Sequence, residues 1–183
     1  MDPQSAGQRT LRNDSVINVA ALLQEPIGST RSYHFVLETF PLDDDLFARD
    51  VTGVLRLTRV SDALLAAFEG NTSVELECQR CLNQFALPIA FDFDEQFRIA
   101  YDVRRGTEIE SEIEGVDERP ELNENHELDF AESLRQEIIL ALPMRPVCGP
   151  ECPGPPEFAS GDDEEINDSF AALAALLEQD EQN

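Results

Sequence analysis

Four cysteines carry most of the chemistry this sequence could perform. They form two close pairs, Cys78-Gln-Arg-Cys81 and Cys148-Gly-Pro-Glu-Cys152, separated by a long insert. Two short-spaced pairs of this kind suit a tetrahedral thiolate site for Zn²⁺: each pair makes a tight turn that aims two sulfurs inward, and the fold brings the turns together. Four thiolates leave no open coordination position, so the role would be structural. Two other readings stand beside it. Reduced cysteines without metal also pack as small hydrophobes. A redox pair is the third reading, but a thioredoxin-like CxxC opens a helix in a βαβ unit, whereas CQRC is flanked by strand patterns. His34 and His126 are the two histidines and the possible substitute ligands, His126 lying in an acidic stretch.

The elements that must position these cysteines can be read from periodicity. In TSVELEC, Val74, Leu76 and Cys78 share one face while Glu75 and Glu77 point the other way, which places Cys78 at a strand end. Cys81 then sits in the turn to the next strand. That strand shows the clearest pattern in the chain: Phe85, Leu87, Ile89, Phe91, Phe93, Phe97, Ile99 and Tyr101 alternate with polar residues, with one breach at Glu95 that suggests a bulge. Upstream, RSYHFVLETF and DVTGVLRLTRV have strand composition, and ALLAAF leads to an expected turn at Glu69-Gly70-Asn71. Downstream, Asp129 with Glu132 three residues on suggests a capping box. Phe130, Leu134, Ile138 and Leu142 follow at helical spacing until Pro143 and Pro146 stop the helix. The second cysteine pair comes directly after those prolines.

Together these patterns predict an α+β architecture: an antiparallel, barrel-like β-sheet, closed or curled to hide its edges, with a packed helix near 129–142 and a short C-terminal helix. The expected organisation is a flexible N-terminal arm over 1–14, a single α+β domain over 15–152 carrying an acidic loop at 102–127, a Pro/Gly/acidic linker over 153–165, and a C-terminal amphipathic helix and tail over 166–183. In that last segment Phe170, Leu173, Ala174 and Leu177 fall on one side.

Charge narrows the function classes. The chain of 183 residues has 13 basic and 38 acidic residues, a net charge of −25, and every base is Arg. Residues 101–183 hold −18 of that total. Nucleic-acid binders draw affinity from neutralising phosphates with Lys and Arg, so most of this surface would repel RNA and suits a basic partner instead. Apolar residues at 42% and charged residues at 28% are globular values. Apolar runs such as Ile138–Leu142 are too short to span a bilayer. The first residues, MDPQSAGQRTLRND, lack the apolar core of a secretory signal, so a cytoplasmic location is expected, with no membrane partner. No Walker A loop, GxGxxG, HExxH or GxSxG motif is present, so no enzymatic activity and no catalytic residue are expected.

An ordered set of landmarks carries a resemblance. VELECQRCLNQF is followed after the acidic insert by LDFAESLRQEIILALPMRPVCGPEC, while INVAALLQEPIGSTRSYHF and INDSFAALAALLEQ stand at the two ends. This set resembles the YceD family, the large ribosomal RNA subunit accumulation proteins, formerly grouped as a domain of unknown function. Many relatives continue with a further cysteine pair where this chain has Pro153-Gly154-Pro155-Pro156, so a zinc site here uses Cys78, Cys81, Cys148 and Cys152. The resemblance implies a non-catalytic role in accumulation of large-subunit ribosomal RNA and in assembly of the large ribosomal subunit. Expected partners are a large-subunit precursor or a basic ribosomal protein, with ribosomal RNA contacted indirectly. Gln79 and Arg80 are the candidate partner or RNA contacts. Two alternatives remain: direct RNA binding by an Arg patch of Arg80 with Arg98, Arg56 and Arg59 on one face, and a redox or metal-dependent enzyme using Cys78 and Cys81.

Overall fold

The computed structural model describes residues 9–103, 105–109 and 119–155. The elements are β1 (Arg9–Arg12), β2 (Val16–Asn18), α1 (Ala20–Leu23), β3 (Thr30–Pro41), β4 (Phe47–Arg59), β5 (Ala63–Glu77), β6 (Gln84–Arg98), β7 (Glu127–Asp129) and α2 (Ala131–Ala141). A five-stranded sheet has the order β1-β3-β4-β5-β6, and β2 and β7 form a separate antiparallel pair. β1 runs parallel to β3, and every other neighbour in the large sheet is antiparallel.

The expected barrel-like α+β fold is therefore corrected. The described protein is mainly β, and its sheet is open: β1 and β6 are the two edges and do not pair with each other. The apolar face of an open sheet has to be buried against another layer. Here a second layer supplies residues to that core, namely Ile17 of β2, Leu22 and Leu23 of α1, Leu128 of β7, Phe130, and Leu134 and Ile138 of α2. They meet Tyr33, Phe35, Leu55, Leu57, Phe68 and Phe97 of the large sheet. The C-terminal helix expected over 166–183 lies outside the described residues.

Two local expectations are also corrected. β5 runs unbroken through Glu69-Gly70-Asn71, so no turn forms there. Gly70 instead faces Gly53 on one side and Phe91 on the other, and Gly53 faces Phe35. A Cβ on Gly53 would lie 2.5 Å from the Phe35 ring, and one on Gly70 would lie 2.6 Å from the Phe91 ring. The rings lean over the two glycines and stack with centroids 6.4 Å apart. Glu95 also makes no bulge, since β5 and β6 stay in register along their whole length. The irregularity falls between Arg49 and Thr52 of β4, where Asp50 has φ 50°.

α2 begins one residue later than a capping box at Asp129 requires, with Phe130 at the N-cap. The Asp129 carboxylate accepts from the Ala131 N–H at 3.0 Å and from the Ser15 hydroxyl at 2.8 Å. Glu132 turns along the helix to Arg135 and Gln136. At the other end Leu142 is extended, as the residue before a proline must be, and the helix stops. No described helix is long and apolar enough to cross a membrane.

Candidate metal centre

The first cysteine pair occupies the connection between β5 and β6. A tight turn forms because the Leu82 N–H donates to the Cys78 carbonyl at 2.9 Å and the Cys78 N–H donates to Asn83 O at 2.9 Å. Leu82 takes a left-handed conformation, φ 60°, to allow the reversal. The second pair lies in the chain that leaves α2. Gly149, at φ 135°, provides its reversal, and the Cys152 N–H donates to Gly149 O at 3.2 Å. Gln79 braces the two loops: its N–H donates to Pro146 O at 3.0 Å and its side-chain amide reaches Met144 O at 3.5 Å.

This bracing brings all four sulfurs together. Cys78 Sγ lies 3.7 Å from Cys152 Sγ, Cys81 Sγ lies 3.8 Å from Cys148 Sγ, and all four fall within 4.8 Å of one another. No disulfide links them. Sulfurs at the corners of a tetrahedron about 2.3 Å from a central Zn²⁺ stand about 3.8 Å apart. The donor set therefore fits that ion without rearrangement of its nearest pairs. Cys78 is fully buried, and its sulfur accepts from the N–H groups of Arg80 and Cys148, each at 3.5 Å. Backbone donors of this kind orient a ligand and stabilise its thiolate.

The electrostatics are those of a site that wants a cation. Burial pushes the Cys78 thiol up, but the backbone N–H groups of Cys81, Cys148 and Arg80 outweigh it and bring the thiol down to about 6. Cys148, although exposed as a residue, is pushed up to about 12, first by desolvation and then by its hydrogen bonds with Cys152, Cys78 and Cys81. For Cys81 the Asn83 N–H favours the thiolate, but burial and the hydrogen bonds with Cys78 and Cys152 prevail and raise it. One thiolate forms readily and its neighbours then hold their protons, because negative charges at this spacing repel. A divalent cation removes that conflict.

The other candidate residues are placed differently. Neither His34 nor His126 joins the sulfur cluster; His34 sits on β3 opposite Val54, and His126 holds the Val19 N–H through its carbonyl. The Arg patch is dispersed. Arg80 lies in the β5–β6 turn, whereas Arg98 ends β6 at the opposite end of the hairpin and binds Glu121 and the Ile109 carbonyl. Arg59 donates to the Glu25 carbonyl, while Arg56 is exposed in mid-strand. CQRC joins two antiparallel strands and does not stand at a helix N-terminus, unlike a thioredoxin-like pair. Sequence reasoning overlooked the Gln79 brace and the carbonyls of Met144 and Pro146 that receive it. A main-chain acceptor leaves no mark in residue types.

Residues 67–177 match the family described as large ribosomal RNA subunit accumulation protein YceD, a stretch that takes in β6, both cysteine pairs and α2. No curated protein and no solved structure matches the chain.

Proposed function

We propose that this chain, which belongs to the YceD family, supports accumulation of large-subunit ribosomal RNA and assembly of the large ribosomal subunit, acting in the cytoplasm through protein contacts and without catalysis. The family match over 67–177 carries the reading. The charge supports the choice of protein over RNA as the direct partner: a net −25 repels phosphate, and Arg80 and Arg98 stand at opposite ends of the β5–β6 hairpin. A basic ribosomal protein, or a large-subunit precursor that displays one, is the partner this surface suits. The folded unit of the proposal ends at residue 152 and starts earlier than the expected 15, because β1 (Arg9–Arg12) within the arm expected over 1–14 pairs with β3 in the large sheet.

Within that unit Cys78, Cys81, Cys148 and Cys152 hold a structural Zn²⁺. The metal would supply charge neutralisation and a fixed crosslink between the β5–β6 turn and the chain after α2. The residues around it do the positioning: Gln79 ties the two loops, the Arg80 and Cys148 N–H groups hold the Cys78 sulfur, and Leu82 and Gly149 permit the reversals. Arg80 is exposed and has no side-chain partner among the described residues, so it is the residue of the turn available to touch a partner. Depleting the chain from cells tests the function: large-subunit ribosomal RNA should fall relative to small-subunit RNA, and an unchanged ratio would contradict it.

A further inference from the structure

The large sheet has two faces, and the buried layer covers one. The other presents alternate residues of β3 to β6 that are exposed or half-buried. A hollow of about 670 Å³ crosses this region, floored by Gly53 and Gly70 and lined by His34, Val36, Thr52, Val54, Glu69 and Asp92 among others. We infer that this hollow is the docking groove for an Arg/Lys-rich, apolar-spaced segment of a protein partner. The inference deepens the assembly-factor reading and rests on it for the partner's identity.

Charge complementarity selects the occupant. Glu69 and Asp92 stand directly opposite each other across β5 and β6. Like charges so placed destabilise a sheet, and neither carboxylate has a side-chain partner among the described residues. Asp94, opposite Ala67, adds a third carboxylate without one. Val54 is half-buried directly opposite Glu69, and Val36 is half-buried further across the face on β3. An Arg or Lys side chain meets both features at once: its methylene stem covers the apolar strip, and its head hydrogen-bonds the carboxylates. Arg56 and His34 lie on the β3–β4 side of the same face and the three acids lie on the β5–β6 side. That polarity gives a bound segment a preferred direction.

RNA fits this groove poorly. Single-stranded RNA binding combines a basic track with exposed aromatic rings. Here the track is acidic, and Phe35 and Phe91 are buried with their rings in the core.

The test uses a fluorescent alternating Arg–Val peptide, with a Gln–Val peptide as control, titrated against the full chain. The Glu69→Gln/Asp92→Asn/Asp94→Asn variant should bind the Arg–Val peptide at least about tenfold more weakly, in line with loss of charge-assisted hydrogen bonds. Asp43→Asn/Asp44→Asn/Asp45→Asn removes the same charge from the exposed β3–β4 turn and should change affinity less than about twofold. Amide shifts on adding peptide to the parent chain should centre on Gly53, Val54 and Ala90, a readout that needs no variant. Equal weakening in both variants, or shifts elsewhere, would overturn the groove. Cosedimentation with large-subunit precursor particles separates the two ideas. Parent bound with the groove variant released supports both, and parent and variant equally bound overturns the groove alone. A parent that does not cosediment overturns the ribosomal reading, leaving the peptide result to decide the groove.

Discussion

Gly53 and Gly70 face each other at the centre of the sheet, with the rings of Phe35 and Phe91 closing over the pair from either side. The two glycines are there for the space they leave. A methyl on Gly70 would stand 2.6 Å from the Phe91 ring and 2.9 Å from the Gly53 Cα, and closer still to the Thr52 carbonyl. Gly70→Ala should therefore destabilise by about 1–3 kcal/mol, the usual cost of overpacking a filled site. Urea unfolding reads this as a lowered midpoint at constant slope. An unchanged midpoint would mean that the rings yield freely.

Leu134 and Ile138 are one helical turn apart on α2 and both are fully buried. Truncating either to Ala should cost about 2–5 kcal/mol. Leu140, on the same helix, is 78% exposed, so Leu140→Ala should move stability by less than about 0.5 kcal/mol. Thermal unfolding of the three variants checks the contrast.

The alternation over 85–101 marks a strand because one face of β6 turns inward: Ile89, Phe91 and Phe97 are buried, and Phe85, Leu87 and Phe93 are half-buried on the same side. Where the cause is long-range the sequence is silent. Gly70 between Glu69 and Asn71 looks like a turn, and only the Phe91 ring from the next strand explains it. The parallel pairing of β1 with β3 and the pairing of β2 with β7 join distant segments, so an open sheet with a second layer could not be distinguished from a barrel. The cysteine spacing points to a convergent site, since thiolate pairs have few other uses, and the sulfurs do converge. The Gln79 brace was hidden in backbone carbonyls.

Protein purified without chelators should contain about one zinc per chain, bound to four thiolates. Elemental analysis measures it directly. In Cys148→Ser/Cys152→Ser the metal should be lost and amide exchange should quicken in residues 143–152, while the protection of β3 to β6 persists, because their core is built without the metal. Global unfolding of that variant, or a zinc-free parent, would contradict the assignment.

Zinc loading should also depend on pH in a fixed direction. Without metal, Cys148 holds its proton up to about 12 and Cys81 is raised as well, so binding at neutral pH displaces protons. Apparent affinity must then rise with pH and fall on acidification, most steeply below about 6, where the Cys78 thiol also protonates. Competition with a chromophoric chelator across that range gives the slope, and a flat profile would exclude thiolate ligation.

The proposal that the chain acts on the large subunit through protein contacts is tested most directly by affinity capture from lysate with and without nuclease. Large-subunit ribosomal proteins should stay bound after the RNA is digested, as expected of a surface with a net charge of −25. Loss of every ribosomal component on digestion would show that RNA is the tether and contradict the account.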